Sequence, residues 1–238
     1  MLRRNHGVKG FIQKKLSKPL RRAKAIVAIG SRAKNDYQQR FPNARVEQLP
    51  YFCDLTKFKR ERPKNPEPVF LFCGQMIERK GIDLLIQAFD RIRGNGIKAK
   101  LILAGRETPL TQKLHPDIEI AGFTAPSDLP DLFARADVFV LPSRHDGWGV
   151  VINQAIGAGL PIISSTAVGA ATDLVESGTN GVLVPPGQLE PLTEAIRNLA
   201  LDPSARESMA KASAEKAEQL DPAIGVRQWY KILTCASS

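Results

Sequence analysis

The residues best suited to chemistry fall in two short stretches. The first, Gly74-Gln75-Met76-Ile77-Glu78-Arg79-Lys80-Gly81, follows an apolar run and precedes an amphipathic one. Its glycines let a ligand approach the backbone, and Arg79 and Lys80 bring two cations, a composition suited to holding a diphosphate with Lys80 as a point charge. An ordinary strand-to-helix turn with surface charges accounts for these residues equally well. The second stretch, Pro142-Ser143-Arg144-His145-Asp146-Gly147-Trp148-Gly149, again links an apolar run to a helical one. Glycines on either side of Trp148 leave the backbone N–H groups of Gly147 to Val150 open to an anion or a sugar hydroxyl, and Asp146 supplies an acceptor. Gln154, eight residues beyond Asp146 and near the start of the next helix, can share the same cleft. Neither stretch is specific on its own.

Other reactive residue types have plainer readings. His145 beside Asp146 suggests acid–base work, but an exposed histidine next to a polar loop is the commoner case. His6 and His115 lack acidic or thiol neighbours at metal-ligand spacing, and Cys53, Cys73 and Cys235 are far apart with no Cys-x-x-Cys pair. No metal site and no disulfide framework is expected, and the compartment is expected to be reducing. Trp229 and Tyr230 read as helix-packing residues.

The elements that must carry the two stretches follow from the hydrophobic pattern. From Val69 onward, apolar runs alternate with amphipathic ones. The predicted strands are Val69–Cys73, Lys100–Ala104, Ile118–Ala121, Val138–Leu141, Pro161–Ser164 and Val182–Val184; the predicted helices are Ile82–Ile92, Leu129–Ala134, Val150–Ala158, Ala171–Glu176 and Leu192–Leu199. Continuous apolar strands separated by helices predict an α/β fold with a doubly wound parallel sheet buried on both faces. In such sheets ligands bind beyond the carboxyl ends of the strands, so both stretches lie where ligands bind. Two further helices are predicted near Pro203–Gln219 and Ala223–Leu233. Upstream, Ala25–Ile29 and Val46–Leu49 read as short strands flanking a helix from Ser31, as cap, to about Arg40. The expected division is 1–50, an upstream segment; 51–68, a Pro- and Lys/Arg-rich linker; 69–220, the main domain; and 221–238, a C-terminal helix.

The net charge of +10 is local. Residues 1–24 hold nine Lys or Arg and no acid. With Leu2, Val8, Phe11, Ile12, Leu16 and Leu20 interleaved, this segment can rest on an anionic membrane or be a solvated helix face. Nucleic acid is not expected as a partner, because stacking aromatics do not accompany the charges. No run approaches the roughly 18 apolar residues of a membrane span, and the first residues lack a signal-peptide core. The expected location is cytoplasmic, with a peripheral position at the inner face of a membrane as the further reading.

Several segments together carry a resemblance. Gly74 with Glu78-Arg79-Lys80-Gly81-Ile82-Asp83-Leu84-Leu85, then Phe139-Val140-Leu141-Pro142-Ser143, then Asp146-Gly147-Trp148-Gly149 with Gly157-Ala158-Gly159-Leu160-Pro161-Ile162-Ile163, then Gly181-Val182-Leu183-Val184-Pro185-Pro186-Gly187 closely resemble, in order and spacing, the C-terminal donor domain of the family-4, retaining, GT-B-fold glycosyltransferases, or glycosyl transferases group 1. Ala25 to Ser31 and Leu49 to Asp54 resemble the end of that family's N-terminal, acceptor-side domain, so that 1–50 reads as its remnant and the chain as a fragment, a truncated product or one half of a two-chain enzyme.

The resemblance implies a Rossmann-like domain that takes a nucleotide diphosphate sugar as donor, uses no cofactor and no metal, and passes the sugar with retention to an acceptor it does not identify: a glycan, a lipid or a small molecule. It implies that Lys80 neutralises the diphosphate beside Gly74 and Arg79, that Asp146 contacts the donor sugar, and that Lys80 and Asp146 are the catalytic pair. The backbone of Gly147, Trp148, Gly149 and Val150 would meet sugar hydroxyls and phosphate. Gly105, Arg106, Gly122 and Phe123 would border the nucleotide, and Asp173 would lie near the sugar. Two positions depart from the family pattern. Gln75 stands where a basic residue is common, and Gln154 where an acid binds the ribose diol, each giving up a charge-assisted bond. These departures leave open a catalytically silent nucleotide-sugar-binding module or a subunit of a split enzyme. A dinucleotide-dependent oxidoreductase is the third reading, and it lacks the Gly-x-Gly-x-x-Gly turn.

Overall fold

The computed structural model describes residues 17–111 and 114–235, together with Phe11 and Lys15. The chain forms two compact units, one of residues 53–221 and one of residues 1–52 with 222–238.

The larger unit is built on a six-stranded, wholly parallel sheet. In chain order its strands are β3 (Val69–Cys73), β4 (Lys100–Ala104), β5 (Ile118–Gly122), β6 (Val138–Leu141), β7 (Ile162–Ser165) and β8 (Gly181–Val184), and their order across the sheet is β5-β4-β3-β6-β7-β8. Phe70, Leu71 and Phe72 in β3 and all four residues of β6 are fully buried. Such strands need apolar side chains on both faces, which explains their unbroken apolar sequence.

Helices cover the faces. Helix α2 (Ile82–Gly94) buries Ile82, Leu85, Phe89 and Ile92, a spacing of three and four that places them on one side. Helix α6 (Leu189–Leu201) does the same with Leu192, Ala195, Ile196 and Leu199 and lies against α2. The connecting helices are α3 (Leu129–Ala134), α4 (Val151–Gly157) and α5 (Gly169–Leu174), and α7 (Pro203–Glu218) follows α6 with Asp202 capping its start through the Ala205 N–H at 2.9 Å. Val69–Cys73, Lys100–Ala104, Val138–Leu141 and Leu129–Ala134 have the pattern-based bounds, and the other elements differ from theirs by at most three residues at either end, as expected where ends fray.

In the smaller unit, β1 (Ile26–Ile29) pairs in parallel with β2 (Val46–Leu49), and α1 (Ser31–Arg40) connects them over a core of Ile26, Ala28, Phe41 and Val46. Ser31 is the first helical residue and not the cap, which is Gly30 at φ 86°. Helix α8 (Pro222–Cys235) lies beside β2 and seats Gly225 against Phe52, where an added Cβ would stand 2.6 Å from the ring. Trp229 and Tyr230, expected as packing residues, are 45% and 69% exposed and form a stripe with Val226 and Leu233, because Gly225 and Ile232 take the buried side.

The stretch read as a linker is partly structural. Leu55 and Phe58 enter the core of the larger unit, Phe58 edge-on to Phe133, and Asn65 donates to Asp137 at 2.9 Å. Its prolines and charges signal irregular backbone, not detachment.

Phe139, at the middle of β6 and stacked on Phe133 at 5.5 Å between centroids, anchors this core. Phe139→Ala should cost about 3–5 kcal/mol through the cavity it leaves. A fall of roughly 10 °C in thermal midpoint is the expected reading.

Candidate functional site

Strand order reverses between β3 and β6, so the loops leaving these neighbours diverge to opposite faces and open a crevice at their carboxyl ends. Both chemical stretches of the sequence arise there. The loop after β3 begins at Gly74, whose N–H donates to Ala104 O at 2.9 Å, and ends in a 3₁₀ turn, Glu78–Lys80, closed by Gly81 in the left-handed conformation at φ 74°. A Cβ on Gly81 would come 2.2 Å from Pro142 O, so the two loops touch at a point where only glycine fits.

The loop after β6 is fastened from the other side. Ser164 and Ser165 of β7 donate their hydroxyls to Leu141 O and Ser143 O, and Asp146 N–H donates to Ala167 O at 3.1 Å. Trp148 Nε1 donates to Asn153 Oδ1 at 3.1 Å, which ties the aromatic to the start of α4. Trp148 thus serves the loop's shape, with its ring half-buried against the core. A Cβ on Gly147 would meet nothing within 4 Å, so its backbone is open to a ligand.

The long-range result is an ion pair. Lys80 Nζ donates to Asp146 Oδ2 across the crevice, and both side chains are well shielded, 15% and 13% exposed. Arg79 Nη1 donates to His145 O at 3.1 Å and Nη2 to Gln75 Oε1 at 3.3 Å. Gln75 therefore accepts from the cation that stands in its neighbourhood, and His145 contributes its carbonyl. Arg144 forms a bidentate pair with Asp83, both bonds 2.7 Å. Burial alone would raise the Asp83 carboxyl, but the hydrogen bonds and charge of Arg144 outweigh it and hold the group below the ordinary carboxylate range. A carboxylate with a lowered folded-state value contributes its stability above the unfolded value near 3.9 and loses it as pH falls through the folded value. The Arg144–Asp83 pair is therefore intact at neutral pH.

Beside the pair lies a cavity of about 540 Å³, lined by Gly74, Gln75, Gly105, Arg106 and Phe123, with Cys73, Met76, Ile77, Ala104, Thr108, Thr124 and Leu129. Its floor is a run of strand ends, where Gly105 N–H donates to Gly122 O at 2.8 Å. A Cβ on Gly105 would come 2.1 Å from Gly74 O. A one-residue bulge in β5 opposite Leu103 and Ala104 precedes Gly122 at φ 70°, and Phe123 emerges 72% exposed. Bulges of this kind re-aim a side chain at a strand end. Burial pushes the Cys73 thiol up to about 11, so it stays protonated and unreactive at neutral pH.

The structure thus brings Gly74, Gln75, Gly105, Arg106 and Phe123 to one cavity, and Arg79, Lys80, Asp146, Gly147, Trp148 and Gly149 to the adjoining crevice. Val150, 41% exposed, caps α4, and Gln154 lies half-buried in the second turn of that helix. Sequence reasoning assigned no role to Arg144, Asp83 or Thr108. Thr108 Oγ1 donates to Met76 O at 2.8 Å and closes one wall of the cavity. These partners are far apart in the chain, and no local pattern marks them. His115 does have an acid beside it, Asp117 at 3.3 Å, but that carboxylate is also held by Arg93. Among the described residues, no group of three or more His, Cys, Asp or Glu side chains could hold a metal ion, and no helix is long and apolar enough to cross a membrane.

Residues 67–202 match the family model described as Glycosyl transferases group 1. Similar curated proteins include the alpha-D-kanosaminyltransferase of Streptomyces kanamyceticus, 27% identical over 82% of this chain and 56% of that protein. Another is the D-inositol 3-phosphate glycosyltransferase of Kribbella flavida, 32% identical over 63% of this chain and 39% of that one. The chain spans about half the length of the curated relatives it matches. Similar solved structures include the sucrose-phosphate synthase of Thermosynechococcus elongatus, with TM-score 0.78 and 22% identity over 99% of this chain and 64% of that one. The Anabaena protein HepE, solved with UDP and glucose, has TM-score 0.78 and 22% identity over 94% of this chain and 66% of that one. At these identities the structural likeness is one of fold.

The Lys80–Asp146 pair makes a sharp expectation. An anion entering the crevice must compete with Asp146 for Lys80, so Asp146→Asn should strengthen inorganic pyrophosphate binding about three- to tenfold in calorimetric titration. Lys80→Ala should weaken it by at least as much.

Proposed function

The chain belongs to the glycosyl transferases group 1, and from that premise we propose that its larger unit binds a nucleoside diphosphate sugar and serves transfer of the sugar to an acceptor with retention of configuration, as in the family-4 GT-B enzymes it resembles. The observation that carries this reading is the juxtaposition at one sheet edge of a glycine-floored cavity and the Lys80–Asp146 pair. In this reading the nucleoside occupies the cavity against Gly74, Gly105, Arg106 and Phe123. The diphosphate displaces Asp146 from Lys80, with Arg79 alongside, and Asp146, once released, meets the sugar together with the backbone of Gly147 to Val150. Gln154 bonds the ribose, and Asp173 is placed near the sugar.

The chemistry then needs little from side chains. The bond between the anomeric carbon and the diphosphate oxygen breaks, the acceptor's oxygen bonds to that carbon from the same face, and negative charge grows on the leaving phosphate. Lys80 offsets that charge more strongly in the transition state than in the ground state, which is what lowers a barrier. The leaving phosphate takes the acceptor's proton, and no cofactor or metal enters. Residues 1–50 belong to the acceptor side in this proposal. A peripheral position at the inner face of a membrane is part of it too, supported by the exposed Lys18, Arg21, Arg22 and Lys24, while the earlier residues of the basic segment lie mostly outside those described.

One observation favours a second reading, a binding module or split-enzyme subunit without turnover of its own. Gln75 and Gln154 are uncharged, and the charge of Lys80 is already met by Asp146. The two readings separate by experiment. Calorimetric titration with a panel of nucleotide sugars should give saturable micromolar to millimolar binding, weakened about tenfold in Lys80→Ala. Folded protein that binds none of them ends the donor-site proposal. Where binding occurs, product formation with one anomeric configuration retained, read by NMR of the anomeric proton, supports the transferase; inversion removes the retaining assignment, and binding without any turnover supports the silent module.

A further inference from the structure

The roles assigned above leave one device at the crevice unused. Arg144 reaches from the loop after β6 to the start of α2, where Nη1 and Nη2 donate to Asp83 Oδ1 and Oδ2 at 2.7 Å each, and Nη1 also donates to Glu78 O at 2.5 Å. Its backbone N–H donates to Arg79 O at 2.9 Å. The groups it grips flank Lys80 in the chain, Glu78 and Arg79 just before and Asp83 three residues after. Arg144 itself stands two residues before Asp146. One side chain therefore ties together the two segments that carry the opposite members of the Lys80–Asp146 pair.

The chemistry of the tie is specific. A planar guanidinium matched to a carboxylate by two parallel bonds fixes orientation as well as distance, which a lysine ammonium cannot do. The pair is partly shielded, with side chains 31% and 21% exposed, so solvent screens it less than a surface pair. Arg144 is not among the residues that line the 540 Å³ cavity, whose walls come from the ends of β3 and β4, the loops after β3, β4 and β5, and the start of α3.

We propose that Arg144 is a positioning residue of the donor site: by clamping the 3₁₀ turn and first turn of α2 to the segment that leads into Asp146, it fixes the position from which Lys80, with Arg79 alongside, meets the diphosphate. The inference rests on the nucleotide-sugar reading of the crevice, and it makes a claim that reading does not. Loss of the clamp loosens the diphosphate half of the site and leaves the nucleoside half alone.

The test uses the full chain, wild type, Arg144→Met and Arg144→Lys, with uridine, UDP and inorganic pyrophosphate as probes in calorimetric titration. Arg144→Met should bind UDP and pyrophosphate about five- to tenfold more weakly while its affinity for uridine stays within about twofold, and Arg144→Lys should recover only part of the loss. Hydrogen exchange provides a readout that needs no ligand: residues 78–84 and 143–148 should exchange about tenfold faster in Arg144→Met, with β3 and β6 unchanged. Equal weakening of uridine and UDP overturns the proposal in favour of a general structural role. So does unchanged exchange in both segments, whether or not any probe binds. Wild-type protein that binds no probe while the exchange difference appears counts against the donor-site reading and leaves the clamp standing as a mechanical fact.

Discussion

The pairing of β3 with β6, with Phe70 beside Val138 and Leu71 beside Phe139, is the constraint on which the crevice depends. Two parallel neighbours must both release their chains at the same edge, and because the strand order reverses there the connections leave toward opposite faces. Residues 74–81 and 142–149, more than sixty positions apart in sequence, are thereby made to face each other. The buried aromatic and aliphatic side chains of β3 and β6 do no chemistry. They fix where the two loops leave the sheet, and close packing leaves that spacing little freedom.

Glycine is used at this edge for proximity. Gly81 lets its loop touch Pro142, Gly105 lets two strand ends share one floor with Gly74, and Gly169 lies so close to Gly147 that a Cβ would stand 2.3 Å from the latter's carbonyl oxygen. Each contact is between main chains, so the loops are held without side chains filling the space between them. That space is what remains for a ligand. The shielded Lys80–Asp146 pair within it contributes little net stability, since desolvation of two charges offsets most of their attraction. Its two halves are a cation suited to phosphate and an acceptor suited to hydroxyls, already brought together.

Much of this was legible in the chain. The six strands of the sheet and the helices between them follow from apolar runs alternating with amphipathic ones, because strands buried on both faces and helices buried on one leave different periodicities. The glycine-bracketed loops were visible for the same reason, as breaks in pattern at strand ends. Less legible were features set by what lies beside a residue in space. Residues 51–68 look like a tether by composition, yet Leu55 and Phe58 are core residues. Trp229 and Tyr230 look like packing residues by type, yet the side of α8 that is buried belongs to Gly225 and Ile232.

The sequence by itself determined the fold class, the positions of the two loops and the residue types available in each, because these depend on local periodicity and on the conformational range of individual residues. Only the tertiary structure decided the partners: Lys80 with Asp146, Arg144 with Asp83, Thr108 with Met76, and Phe123 turned outward by a bulge. A partner across a sheet edge is chosen by strand order and register, which are properties of the packed whole. The chain carries them only as the sum of many weak preferences, and no short stretch of residues states them.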